Sequence, residues 1–141
     1  MTLIAFDPGI STGCAVHGPD GYVTAVIKDV PSLWQMIDHH QPSICVYENF
    51  SAGGLISKDG QATLRLIGAI QAVCYRLGIP TVYQMPGERY GMLPKARQML
   101  QQVKRTPIVH EIDALAHLLL YEFRVEKGIQ DALTTKRQRL I

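Results

Sequence analysis

The chain has 141 residues, a length that suits one domain and lets folding bury about two-thirds of the unfolded surface. Apolar residues make up 47% and charged residues 18%, which excludes an intrinsically disordered chain. A formal net charge of +2 neither requires nor excludes a nucleic-acid partner, because clustering on one face decides that rather than the total.

Leu3 to Phe6 is an apolar run that stops at Asp7 and a Pro8-Gly9 turn, which predicts a buried strand emerging from the core at a carboxylate. From the stretch alone, Asp7 is either a turn cap or a ligand. Thr12 to Gly18 and Tyr22 to Ile27 read as a hairpin joined by Pro19-Asp20-Gly21. Pro31 to His40 reads as a short helix stopped by Pro42, and Ile44 to Tyr47 as a strand apolar on both faces, hence central in a sheet covered on both sides.

Phe50 to Gly60 is rich in Gly and Ser and reads as a loop, and Gln61 to Leu77 as a long helix ended by Gly78. That helix is apolar nearly all round, so a second apolar partner is expected, either another helix or another copy of the chain. Pro80 to Met85 reads as a fifth strand and Pro86 to Leu93 as irregular. Pro94 to Val103 and Ile108 to Glu126 read as helices separated by the basic link Lys104-Arg105-Thr106-Pro107. The order of elements predicts an α/β fold in a single domain over 1–141, with a mixed five-stranded sheet, an antiparallel hairpin and crossover helices. Residues 134–141, with Lys136, Arg137 and Arg139, read as a solvated basic tail.

Cys14, Cys45 and Cys74 lie far apart within apolar runs and read as small buried hydrophobes, not disulfide or zinc ligands. No stretch approaches ~20 continuous apolar residues, and the chain enters a strand at Leu3 without the features of an export signal. A cytoplasmic protein without membrane contact is expected.

The fourth strand repeats the arrangement of the first, running apolar through Tyr47 and ending on Glu48. Ligands gather at the carboxyl ends of such strands, so Asp7 and Glu48 are expected side by side. On the last helix, spacings of three and four put His110, Asp113 and His117 on one face and Ile112, Leu115, Ala116, Leu119 and Phe123 on the other. Glu111 reads as an ordinary acid at a helix start, and His117 as a hydrogen-bonded supporting residue before a ligand. Three carboxylates and an imidazole meeting at one spot repel unless a cation stands between them. Hard oxygen donors with one imidazole favour Mg²⁺ or Mn²⁺, and such a cluster can hold two metals about 4 Å apart for phosphodiester hydrolysis.

Asp7-Pro8-Gly9 with Thr12-Gly13, the strand ending in Glu48, and His110-x-x-Asp113-Ala114-Leu115-Ala116 together resemble the RuvC-type Holliday junction resolvases of the RNase H-like superfamily. The likeness runs through nearly the whole chain in the right order. It implies an RNase H-like fold and a Mg²⁺-dependent endonuclease, with Mn²⁺ able to substitute. Asp7, Glu48, His110 and Asp113 would be its catalytic, metal-holding residues, with Asp7 bridging two ions. It also implies a homodimer through the Gln61 to Leu77 helix, acting on branched DNA and four-way junctions above all.

Phe50 stands where the family places an aromatic near the junction centre, and a core position is its other reading. Arg65, Lys95, Arg97, Lys104 and Arg105 are the candidate phosphate contacts. The chain is short for the bacterial resolvases, and the glycine-flanked basic segment expected before the last helix survives only as Lys95-Ala96-Arg97-Gln98, which suggests a compact phage-type relative. Three other readings compete: the related YqgF group acting on RNA, a nucleotide-binding module like that of actin and Hsp70, and a DNA-binding protein without catalysis. The His-x-x-Asp pair favours the resolvase side, and a single domain of this size argues against a nucleotide clamp made of two.

Overall fold

A computed structural model of the chain describes residues 1–50, 57–103 and 109–128. Strands β1 (Leu3–Asp7), β2 (Thr12–Gly18), β3 (Gly21–Ile27), β4 (Ile44–Glu48) and β5 (Thr81–Gln84) form one mixed sheet in the order β3-β2-β1-β4-β5. The hairpins β1–β2 and β2–β3 are antiparallel, whereas β4 runs parallel to both β1 and β5. The expected sheet is therefore present, with the two apolar strands β1 and β4 inside it.

Helices α1 (Val30–His40) and α2 (Lys58–Leu77) cover one face, and α3 (Leu93–Leu100) and α4 (Val109–Glu126) the other. Because strand side chains alternate, β1 divides between the two layers: Ile4 and Phe6 pack with Leu33, Ile37 and Ile70, while Leu3 and Ala5 pack with Leu115, Leu118 and Tyr121. Fully burying one such large side chain contributes roughly 1.5–3 kcal/mol. Local signals set the helix ends. Asp29 Oδ1 accepts from Ser32 N at 2.7 Å to start α1, and Ser57 Oγ accepts from Gly60 N at 3.1 Å to start α2, earlier than the expected Gln61. Gly78, at φ 71°, ends α2 in the left-handed region.

Of the two partners expected for α2, the chain supplies the helix: α1 packs against it, and Ile67, Ile70, Val73 and Cys74 are buried in the layer they share, which leaves Leu64 at 38% and Tyr75 at 76% exposure. On α4 the expected polar set His110, Asp113 and His117 does line one site, but exposure does not divide the helix: Glu111 and every residue from Asp113 to Tyr121 are buried, whereas Phe123, expected on the core face, is exposed. The cause is coverage on two sides, by the sheet below and by α3 with a 3₁₀ helix at Pro86–Met92 above. That 3₁₀ helix occupies the stretch read as irregular, and α3 is shorter than expected, ending at Leu100. All three cysteines are free and buried, as expected. Among the described residues no helix is long and apolar enough to cross a membrane.

Candidate active site

Three parallel strands end on a polar residue at the same edge of the sheet: Asp7 on β1, Glu48 on β4 and Gln84 on β5. Phe6 pairs with Tyr47 and Glu48 with Gln84, so continuing the register by one residue sets Asp7 beside Glu48. Parity decides the direction. Ala5, Val46 and Val82, two residues earlier, belong to the α3/α4 layer, so the three polar side chains turn toward α4.

Helix α4 brings His110 and Asp113 to that edge, and Gly13 makes the approach possible. A Cβ on Gly13 would stand 1.9 Å from the carbonyl oxygen of His110 and 2.2 Å from its carbonyl carbon. Only glycine lets the backbone at the start of α4 lie directly on β2. Thr12 begins β2 as expected and closes the preceding turn, its hydroxyl donating to Gly9 O at 3.1 Å. Glu111 is not an ordinary surface acid at a helix start: it is fully buried and accepts from Thr24 Oγ1 of β3 at 2.9 Å.

His110 Nδ1 lies 2.9 Å from Asp7 Oδ2. His117 is fully buried, with Nε2 2.7 Å from Glu48 Oε2 and Nδ1 2.6 Å from Oε1 of Gln84, in the supporting position expected for it. Gln84 Nε2 has no partner among the described residues, and the two carboxamide orientations are nearly isosteric. With its NH₂ toward His117, Gln84 donates to Nδ1, Nε2–H donates to Glu48, and the orphan becomes an acceptor oxygen, which is less costly than an orphan donor.

Sequence reasoning missed Arg89. Its side chain, 17% exposed, reaches from the 3₁₀ helix between two carboxylates, with Nη1 3.5 Å from Glu48 Oε2 and Nε 3.1 Å from Asp113 Oδ1. Burial works against its charge, but Glu48, Asp113 and Asp7 outweigh that and push the guanidinium pKa further up. Burial also pushes the Asp7 carboxyl up to about 6, with Glu48 and Asp113 adding to the rise and His110 opposing it. The cation that three converging acids require is thus supplied by the chain itself. Among the described residues no group of three or more His, Cys, Asp or Glu side chains is gathered in a metal-holding geometry. The donor types suit a hard divalent ion, but their oxygens are turned to Arg89 and the two histidines.

The candidate DNA contacts do not form one patch. Arg65 is exposed on α2, whereas Lys95 and Arg97 are exposed on α3, across the sheet. Phe50 is partly buried and packs against the α1/α2 layer. Lys104, Arg105 and the tail from Thr134 lie outside the described residues. Two signals could have found the missed residues: β5 ends on a polar side chain as β1 and β4 do, and Pro86-Gly87-Glu88-Arg89 follows that third strand exit directly.

No protein-family model matches the chain. No curated protein matches it in sequence. Solved structures do resemble it: Thermus thermophilus RuvC in complex with a Holliday junction substrate superposes with a TM-score of 0.74 at 17% identity, covering 92% of this chain and 97% of that one. A second T. thermophilus RuvC structure gives 0.66 at 18% identity, covering 92% and 98%. YeaZ from Pseudomonas aeruginosa gives 0.56 at 11% identity, covering 92% and 95%. At these identities the likeness establishes architecture, and the mixed sheet with its helices is the RuvC/RNase H-like fold.

Proposed function

We propose that this chain is a metal-dependent, structure-selective DNA endonuclease that resolves four-way or branched junctions by paired phosphodiester hydrolysis. The observation that carries the reading is the convergence of Asp7 and Glu48, from adjacent parallel strands, with His110 and Asp113 of α4 in a RuvC-like fold. In this reading Asp7, Glu48, His110 and Asp113 hold Mg²⁺ or Mn²⁺, which when bound supplies an activated water and offsets charge building on the phosphate.

The chain's own residues do the positioning. His110 fixes the orientation of Asp7, and His117, locked by Gln84, holds Glu48 through one oxygen at the edge of the sheet. Lys95 and Arg97, exposed on α3 on the side of the carboxylates, are the proposed phosphate contacts, and the sequence adds Lys104 and Arg105 as candidates. Paired nicks need two copies, and the exposed Leu64 and Tyr75 of α2 are the proposed contact between them.

The test is incubation with Mg²⁺ and a panel of four-way junction, fork, duplex and RNA substrates, with the nicks mapped. Symmetric nicks in the four-way junction are expected. Preferential cutting of RNA would replace the reading with an RNA-processing one, and junction binding without any nicking would make the chain a binding module.

A further inference from the structure

Arg89 stands where the carboxylates meet, and its manner of attachment bears on how the site is loaded. Its contacts are close but poor in geometry. The Glu48 contact is 3.5 Å, at the outer limit of a hydrogen bond, and the 3.1 Å approach of Nε to Asp113 Oδ1 is an ion pair that does not meet hydrogen-bond geometry. Nη1 also donates to Pro86 O, within the turn that carries Arg89 itself. The 3₁₀ helix beneath is fastened independently: Glu88 accepts from Met85 N and from Arg124 Nη2 of α4, the latter at 2.8 Å. The guanidinium can therefore leave without unfolding the segment that carries it.

We infer that Arg89 is a resident counter-cation of the carboxylate site, which a divalent cation must displace in order to bind. The inference rests on the nuclease reading of the site and adds a regulation of it. A divalent ion would bring twice the charge of the guanidinium to the same carboxylates, and the exchange proceeds where that gain exceeds the cost of stripping the ion's water. The exchange is incomplete at low metal, because the ion binds only the fraction of molecules from which Arg89 has withdrawn. Arg89 thus holds Glu48 and Asp113 together beside Asp7 in the metal-free chain and sets the metal concentration at which the site loads.

The experiment measures metal binding without substrate. Mn²⁺ titrations followed by electron paramagnetic resonance and calorimetry compare the wild-type chain with Arg89→Gln, Arg89→Lys, Glu48→Gln and the double variant Arg89→Gln/Glu48→Gln. Arg89→Gln should bind Mn²⁺ about tenfold more tightly or better, the charge-keeping Arg89→Lys should stay near wild type, and the double variant should lose the gain. The wild-type chain offers a second readout that depends on no variant's folding. Modification of Arg89 by phenylglyoxal, mapped by mass spectrometry, should accelerate several-fold on adding Mn²⁺ while that of Arg124 does not. Equal Mn²⁺ affinity in wild type and Arg89→Gln, abolished in both by Glu48→Gln, would overturn the counter-cation role and leave the nuclease reading standing. Absence of any Glu48-dependent Mn²⁺ binding would overturn both, and so would an unchanged Arg89 labelling rate overturn the displacement.

Discussion

The two faces of the sheet use the same alternating strands for opposite purposes. Toward α1 and α2, Ile4, Phe6, Cys14, Val16, Cys45 and Tyr47 meet Leu33, Ile37, Ile70 and Val73 in a layer that, among the described residues, holds no buried charge. Toward α3 and α4, the apolar layer around Leu115 and Leu118 is bordered by Asp7, Gln84, Glu111, Asp113 and His117, all buried and polar. The buried acids cluster at one rim because parallel strands end there and because Gly13 admits the start of α4. The difference teaches that stability and chemistry are separable in this fold: one face holds the sheet together, and the other carries groups whose proximity costs stability.

The largest effect expected on the dry face is from Phe6→Ala, which leaves a cavity in a layer that cannot refill it. It should lower the unfolding free energy by about 3–5 kcal/mol in denaturant titration. A loss below about 1 kcal/mol would mean that this face is not the main source of stability. On the other face, Gly13→Ala drives a methyl group into the His110 carbonyl. Overpacking of this kind costs about 1–3 kcal/mol or more and should shift the amide resonances of the first turn of α4. Unchanged stability and spectra would show that α4 does not rest on β2.

The polar rim gives a third contrast, of opposite sign. Folding raises the Asp7 carboxyl from its ordinary 3.8 to about 6, so the folded chain binds more protons than the unfolded one in that interval. Stability measured in chelator should therefore fall as pH rises from about 4 to about 6, and stay lower above it. Asp7→Asn should remove this slope and stabilise the metal-free protein by roughly 2 kcal/mol at pH 8. Coincident pH profiles for the two proteins would contradict the claim that the rim is held together against repulsion.

Much of this division is readable in the residues before any folding is considered. Asp7 and Glu48 stand out because a carboxylate interrupts an apolar run, and His110 with Asp113 because helical spacing puts them together. Gln84 ends its strand in the same way but carries no charge to draw notice. Arg89 is 41 positions from Glu48, and only the turn of the 3₁₀ helix brings it back to the strand edge. The near-complete burial of α4 escaped a periodicity argument because a helix covered on two sides need not be amphipathic. For Gly13, a glycine at a strand start gives no hint of the carbonyl that will lie against it. The central place of β1 and β4 was legible because a short unbroken apolar run marks a strand covered on both faces, whereas these remaining features depend on which distant segment packs there.

The central claim is that the polar rim, with Asp7 at its middle, cuts DNA. The direct measurement is single-turnover nicking of a four-way junction in Mg²⁺ by wild type and by Asp7→Asn, with junction affinity measured on the same preparations. The account predicts a loss of nicking of about a hundredfold or more in Asp7→Asn, with affinity held within about threefold, because the proposed phosphate contacts are other residues. Nicking by Asp7→Asn at the wild-type rate would contradict it.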